Sequence, residues 1–389
     1  MYKFLPKYLI AATMFAFTTT SYAITPEVVV KKDPELLAEA AKYCNVDLVI
    51  CLDTSNSMDE LIDSAKIQLW SIVNSLGKAD PPPRLRVALY SYGNTNHLAE
   101  NGWVDHVLPF TDDLDLVYKK LFELKTNGGY EYVARVTRAA LQQSWKNDDQ
   151  KTLRLIFVAG NESAAQDPTY TLASVMEQAK KQNVFVNTIF CEDPRSSEYE
   201  SWKEAALLAD GKYACINPAR RKTYHTPYDD DLVSLSSKLN STYIFYGARE
   251  ERQRYSTNQV AQDANAFSLS SAVATQRAVA KSNSAVYNNG ERDLVDLYNA
   301  DKNSALTKNA EELPEELKGK SQDEIEDYIL AKEKERKSIQ DEIAALNLKR
   351  LANIETQKRA GGDEAGTTLD DVMISAIKEQ AKTQGITIP

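Results

Sequence analysis

Six short apolar runs, five of them followed by a helix-period segment, constrain the fold more than any other feature of this chain. Residues 46–52 read V-D-L-V-I-C-L, a continuous β-prone run. Further strands are predicted over 85–92, 104–110, 153–158, 184–190 and 213–216. After the first run, Leu61, Ile62, Ala65, Leu69, Ile72, Val73 and Leu76 recur at spacings of three and four, and Gly77 stops them. Pro81-Pro82-Pro83 then breaks the chain before the second strand. The same periodicity predicts helices over 114–124, 132–145, 171–182, 200–208 and 231–239. Strands alternating with helices imply an α/β fold, a doubly wound and mostly parallel sheet covered on both faces. A helical C-terminal region is expected to follow it. Such sheets bind ligands at the carboxyl ends of the strands, near the point where strand order reverses. The residues just after Leu52 are therefore the first place to seek chemistry.

The chain has 389 residues, enough for about two domains. Its 46 basic and 56 acidic side chains leave a formal charge of −10, which argues against a nucleic-acid partner. The three histidines, His97, His106 and His225, form no H-E-x-x-H pair, so zinc hydrolase chemistry is unsupported. Residues 1–23 have the form of a signal peptide. Lys3 and Lys7 precede an apolar run over 8–17, too short to span a bilayer, and Ser21-Tyr22-Ala23 closes it. The expected location is periplasmic or extracellular, with no integral membrane segment after cleavage.

Residues 24–43 read as a lead segment, and 44–246 as the sheet domain. Residues 247–312 are rich in Ser, Asn, Ala, Gln and Arg. They read either as polar helices lying over the domain or as a semi-ordered connector. Residues 313–389 read as an α-helical hairpin. Its first arm, 321–360, lacks Gly and Pro and opens with a capping box, Ser321 and Glu324. Its second arm is 369–384, and a Gly-rich loop over 361–366 reverses the chain. The arms are expected to pack antiparallel through Ile343, Leu346, Val372 and Ile377. Oligomers through this tail are open, although a polar gap over 331–338 interrupts any coiled-coil heptad.

Export would make Cys44, Cys51, Cys191 and Cys215 potential disulfide partners. Cys191 ends one predicted strand and Cys215 lies in the next, close enough for a bridge. Cys51 reads as buried and free.

The first strand ends in Asp53-Thr54-Ser55-Asn56-Ser57. A turn leaving a strand can point alternate side chains into one small space. Asp53, Ser55 and Ser57 would bring a carboxylate and two hydroxyls there, hard ligands suited to Mg²⁺, or to Mn²⁺ or Ca²⁺. The same serines could instead cap the helix over 58–76. On the pentapeptide alone both readings are open.

D-x-S-x-S after a first strand resembles the metal-ion-dependent adhesion site of von Willebrand factor type A domains. Arg84 to Gly93 is similar to that family's second strand. Leu108 to Asp113, then Gly128-Gly129-Tyr130-Glu131, resemble its third strand and double-glycine loop. Leu153 to Glu162 stands where its fourth strand and acidic loop belong. The resemblance covers 44 to about 246 and extends to secreted bacterial members with helical C-terminal tails. Three positions depart from the family pattern. Asn56 replaces a frequent Gly, a substitution compatible with a left-handed turn. Tyr130-Glu131 stands where a Thr often follows the glycines, with Thr126 four residues earlier. Glu131 can then serve as an oxygen ligand or as a helix N-terminal acid. Ala159-Gly160-Asn161-Glu162 replaces Thr-Asp-Gly, leaving Glu162 or Asn161 as the substitute ligand.

The resemblance implies a non-enzymatic binding module whose metal engages a carboxylate of a protein partner. Two other functions compete with it. A structural envelope protein with a degenerate, metal-free site would explain the altered loops. A phosphotransferase-type hydrolase would use Asp53 as nucleophile, but that chemistry needs a second Asp where Ser55 stands.

Overall fold

The computed structural model describes residues 42–146, 151–219, 223–361 and 368–389. The expected signal peptide, nearly all of the expected lead segment and most of the Gly-rich loop lie outside these residues. Strand β1 (Cys44–Asp53) is buried along its whole length, as a central strand covered on both faces requires. Helix α1 (Asp59–Leu76) follows, then β2 (Pro83–Tyr92), β3 (Val104–Thr111), α2 (Leu114–Glu123), α3 (Val133–Leu141) and β4 (Thr152–Gly160). Next come α4 (Leu172–Lys181), β5 (Phe185–Phe190), α5 (Tyr199–Leu208), β6 (Tyr213–Cys215) and α6 (Asp229–Asn240). The six strands form one sheet in the order β3-β2-β1-β4-β5-β6, with β3 the antiparallel edge. Strand order reverses between β1 and β4, so their carboxyl ends frame the crevice where open α/β sheets bind ligands.

Alternate residues of each strand supply two cores. Leu48, Ile50 and Leu52 of β1 join Leu155 and Phe157 of β4 on the face covered by α1 and α2. Val49, Cys51, Ile156 and Val158 face α3, α4 and α5. The predicted helix 132–145 ends early, at Leu141, because polar contacts claim the next residues. The buried Asp47 carboxylate accepts the Lys146 backbone N–H at 2.8 Å, and Arg86, bonded to the same carboxylate, also donates to the Ser144 carbonyl.

Alternation also decides the cysteines. Phe190 pairs with Cys215 across β5 and β6, so Cys191 and Cys215 point to opposite faces of the sheet. Cys191 sits in the α1-side core. Cys215 packs on the other side and donates to the Glu192 carbonyl at 3.2 Å. The expected Cys191–Cys215 bridge is therefore not formed, and all four cysteines are free thiols.

Residues 247–312, left open as helices or connector, contain helices α7 (Arg249–Leu269), α8 (Ser271–Lys281), α9 (Leu294–Ala300) and α10 (Lys302–Leu306). Helix α8 packs on α1, extending the same core outward through Val273 and Ala274. The two tail helices, α11 (Gln322–Gly361) and α12 (Leu369–Thr383), do not form the expected hairpin. Ile343 and Leu346 of α11 pack against Leu232, Leu235 and Leu239 of α6. Val372 and Ile377 of α12 belong instead to the sheet-side core, where α12 lies against α1 and β4. Each arm buries its apolar face on a different part of the domain.

Candidate metal centre

The strand-to-helix turn after β1 is held open by backbone bonds. Thr54 donates its N–H to the Tyr92 carbonyl at 2.8 Å, and its own carbonyl accepts from Asn127 N–H at 2.9 Å. The first loop is thereby tied at Thr54 to the end of β2 and to the double-glycine loop. Asn56 has negative φ, so the turn does not need the left-handed tolerance that its amide side chain offers. Helix α1 begins after Met58 with no side-chain cap, which leaves both serine hydroxyls free of that duty. Ser55 Oγ and Ser57 Oγ lie 3.4 Å apart.

Asp53 closes β1 and is fully buried. One oxygen, Oδ1, accepts the Ser55 backbone N–H at 2.8 Å; the other, Oδ2, is buried without a partner. Glu131, only 2% exposed, stands beside it with Oε2 also unpartnered. The third loop adds Asn161. Its Nδ2 donates to Ser57 Oγ at 3.0 Å, and its Oδ1 is a third buried oxygen with no partner. Burial, then the facing Glu131 carboxylate, pushes the Asp53 carboxyl well above the usual range. Burial raises Glu131 as well.

Glycines make this approach possible. A Cβ on Gly129 would stand 2.7 Å from the carbonyl carbon and oxygen of Gly93, so the double-glycine loop could not close on β2. Gly93 itself has φ +72 and would place a Cβ 2.7 Å from Asp53 Oδ1.

Three buried oxygens without partners, arriving from three loops beside two hydroxyls, are costly unless something positive sits among them. Asp53, Ser55, Ser57, Glu131 and Asn161 supply an all-oxygen donor set, which suits Mg²⁺, Mn²⁺ or Ca²⁺. Among the described residues no three His, Cys, Asp or Glu side chains gather as a metal-holding group, so this donor set rests on two carboxylates with hydroxyl and amide oxygens. The other predicted candidates are placed differently. Glu162 turns its carboxylate to Gln166 Nε2, 2.7 Å away, and its carbonyl accepts the Trp202 indole N–H. Thr126 donates to Asp59 Oδ1 at 2.7 Å. Sequence reasoning missed the rings beside the site. Trp103, Tyr130 and Tyr132 pack together with centroids 4.8–5.9 Å apart. The signal was present, two tyrosines flanking Glu131, but Trp103 comes from a distant loop.

Residues 47–207 match the family model of the von Willebrand factor type A domain. No curated protein matches the chain. Among solved structures, a von Willebrand factor type A protein from Catenulispora acidiphila is 17% identical with a TM-score of 0.34, covering 45% of this chain and 39% of its own. The SpRpn10 VWA domain is 17% identical with a TM-score of 0.35, covering 45% of this chain and 89% of its own. Proximal thread matrix protein 1 from the mussel byssus, with a zinc-occupied MIDAS motif, is 9% identical with a TM-score of 0.35, covering 45% and 42%. The chain thus spans about two fifths of the length of the Catenulispora protein. Residues 47–207 of this chain are a von Willebrand factor type A domain, followed by a helical C-terminal region.

Proposed function

We propose that this protein is a non-enzymatic binding module that holds a divalent cation, Mg²⁺ or Mn²⁺, and uses it to capture a carboxylate of a protein partner. Domains of this family are commonly protein-interaction modules. The observation that carries the reading is the convergence of Asp53 Oδ2, Glu131 Oε2 and Asn161 Oδ1, all buried and unpartnered, beside the Ser55 and Ser57 hydroxyls. A bound cation supplies positive charge and open coordination positions for an anionic oxygen. Asp53 and Glu131 provide the charge that retains it. The two serines and Asn161 complete the shell without adding negative charge. Burial of Asp53 keeps water from competing for its oxygens. The nucleophile reading of Asp53 has less support, since Oδ1 is bound by the Ser55 N–H and no second Asp stands at 55. No helix among the described residues is long and apolar enough to cross a membrane. With the N-terminal signal pattern, we place the protein in the periplasm or outside the cell.

Calorimetry with Mg²⁺ and Mn²⁺ tests the cation. Wild type is expected to bind at millimolar concentration or better. Asp53→Ala should abolish binding, and Glu131→Gln should weaken it by about 10–100-fold or more, taking losses of supporting groups as the lower guide. Glu162→Gln should change little. A wild type that binds neither ion would leave the metal-free structural reading in its place.

A further inference from the structure

A continuous strip of side chains leads away from the metal centre. Tyr130, 58% exposed, packs on Tyr132; the Arg135 guanidinium lies over Tyr132 at 5.1 Å and over Tyr170 at 5.4 Å; the Arg138 guanidinium also lies over Tyr170, at 4.6 Å. Trp103 joins the near end. Its φ of 55 is a left-handed conformation that a bulky side chain adopts only under constraint, so the fold spends backbone strain to set this ring beside Tyr130.

The far end opens into a groove of about 750 Å³ between α3 and the edge strand β3. Arg135 and Arg138 stand on the α3 wall of this groove. Arg135 is already paired, bidentate to Asp167. Arg138 is half-buried and, among the described residues, has no hydrogen bond or carboxylate, only the Tyr170 ring. Glu100 and Asp105 line the opposite side. They would repel a carboxylate from that wall and direct it to Arg138.

We propose that the groove is a second anchor for the same partner, and that the partner is an extended acidic peptide segment. This rests on the metal-bridge reading above. One carboxylate binds the cation, an apolar or aromatic residue lies on Trp103 and Tyr130, and a second carboxylate pairs with Arg138. Arg138 lies five residues into α3 from Val133, roughly 7–8 Å along the axis at 1.5 Å per residue. Adding the two residue steps from Glu131 to Val133, the acids should stand about three to five extended residues apart, at about 3.3 Å each. An unpaired arginine on an aromatic face is suited to such a carboxylate.

Selection from a random twelve-residue peptide library displayed on phage, against the full chain in Mg²⁺, tests the proposal. Wild type should enrich peptides with two acids at that spacing and an apolar residue between them. Arg138→Glu and the milder Arg138→Gln should lose the second-acid preference and weaken an enriched peptide about tenfold by fluorescence anisotropy. Trp103→Ala should relax the apolar preference. Binding that survives EDTA yet needs Arg138 would keep the groove and remove the metal bridge. Metal-dependent binding indifferent to both Arg138 variants would overturn the groove and keep the bridge. Absence of any enriched peptide, as for a glycan-binding groove, would also overturn it.

Discussion

Asp53 and Glu131 are two buried carboxyls that face each other at the end of β1. Both carboxyls are raised, Asp53 by burial and by its neighbour, Glu131 by burial first. A raised carboxyl means that the folded state holds its proton more tightly than the unfolded chain. Metal-free stability should therefore fall as pH rises from the ordinary values, 3.8 and 4.5, through the raised folded ones. A cation displaces those protons, so its stabilising effect should grow over the same range. Thermal melts in EDTA and in Mg²⁺ between pH 4 and 8 measure both trends. In EDTA at pH 8, Asp53→Asn should stabilise by about 1–3 kcal/mol, the scale of a relieved buried polar penalty. In Mg²⁺ the sign should reverse. Equal melting curves for wild type and variant in EDTA would mean that the pair is not strained.

Helix α12 shows how an element remote in sequence completes the sheet domain. Leu369, Met373, Ile377, Ile386 and Ile388 are all buried in the α1-side core. A reciprocal amide pair, Asn187 with Gln380 at 2.7 and 3.1 Å, locks the helix to β5. The chain end adds a two-residue bridge between Asp80 and Thr387. Each large apolar side chain removed from water contributes about 1.5–3 kcal/mol, so the five together match the stability of a typical domain. A chain ending at residue 361 should lose cooperative unfolding, as followed by circular dichroism and urea titration. Gln380→Leu should cost about 1–3 kcal/mol, because it strands part of the Asn187 amide. A truncated chain that melts like wild type would show α12 to be an accessory.

Across the whole molecule, buried charges join the outer helices to the sheet domain. Arg277 of α8 donates to Asp115 of α2 at 2.6 Å and to Asp263 of α7 at 2.7 Å. Lys281 shares Asp263 and also reaches Ser236 and Asn240 of α6. Burial would raise the Asp263 carboxyl, but Arg277 and then Lys281 hold it down to about 2. Lys281 is pushed down to about 8 by burial, with repulsion from Arg277 acting the same way against the attraction of Asp263. A lowered Asp contributes stability that is complete above 3.8 and is lost as pH falls toward about 2. Urea unfolding from pH 5 to 2 should show that loss in wild type and a flatter curve in Asp263→Asn. Arg277→Met, which leaves Asp115 buried without its cation, should cost about 3–5 kcal/mol at neutral pH.

Local pattern was enough to read much of this protein from its sequence. The six strands and the position of Asp53 at the end of a central strand follow from continuous apolar runs, and most helices from spacings of three and four residues. Ser55 and Ser57 could be named as candidates because they lie on the same turn. What the sequence alone left undecided involves residues far apart in the chain. Glu131 and Asn161 meet Asp53 only because the strand order brings the β1 and β4 ends together and Gly129 closes on Gly93. The Cys191–Cys215 expectation failed because adjacency of strands says nothing about which face a side chain takes; that needs the register. The hairpin expectation failed because two amphipathic helices announce that each needs a partner, not which one. Ile343 finds α6 and Ile377 finds the sheet-side core, so each helix removes its apolar face from water against a surface that tertiary packing supplies.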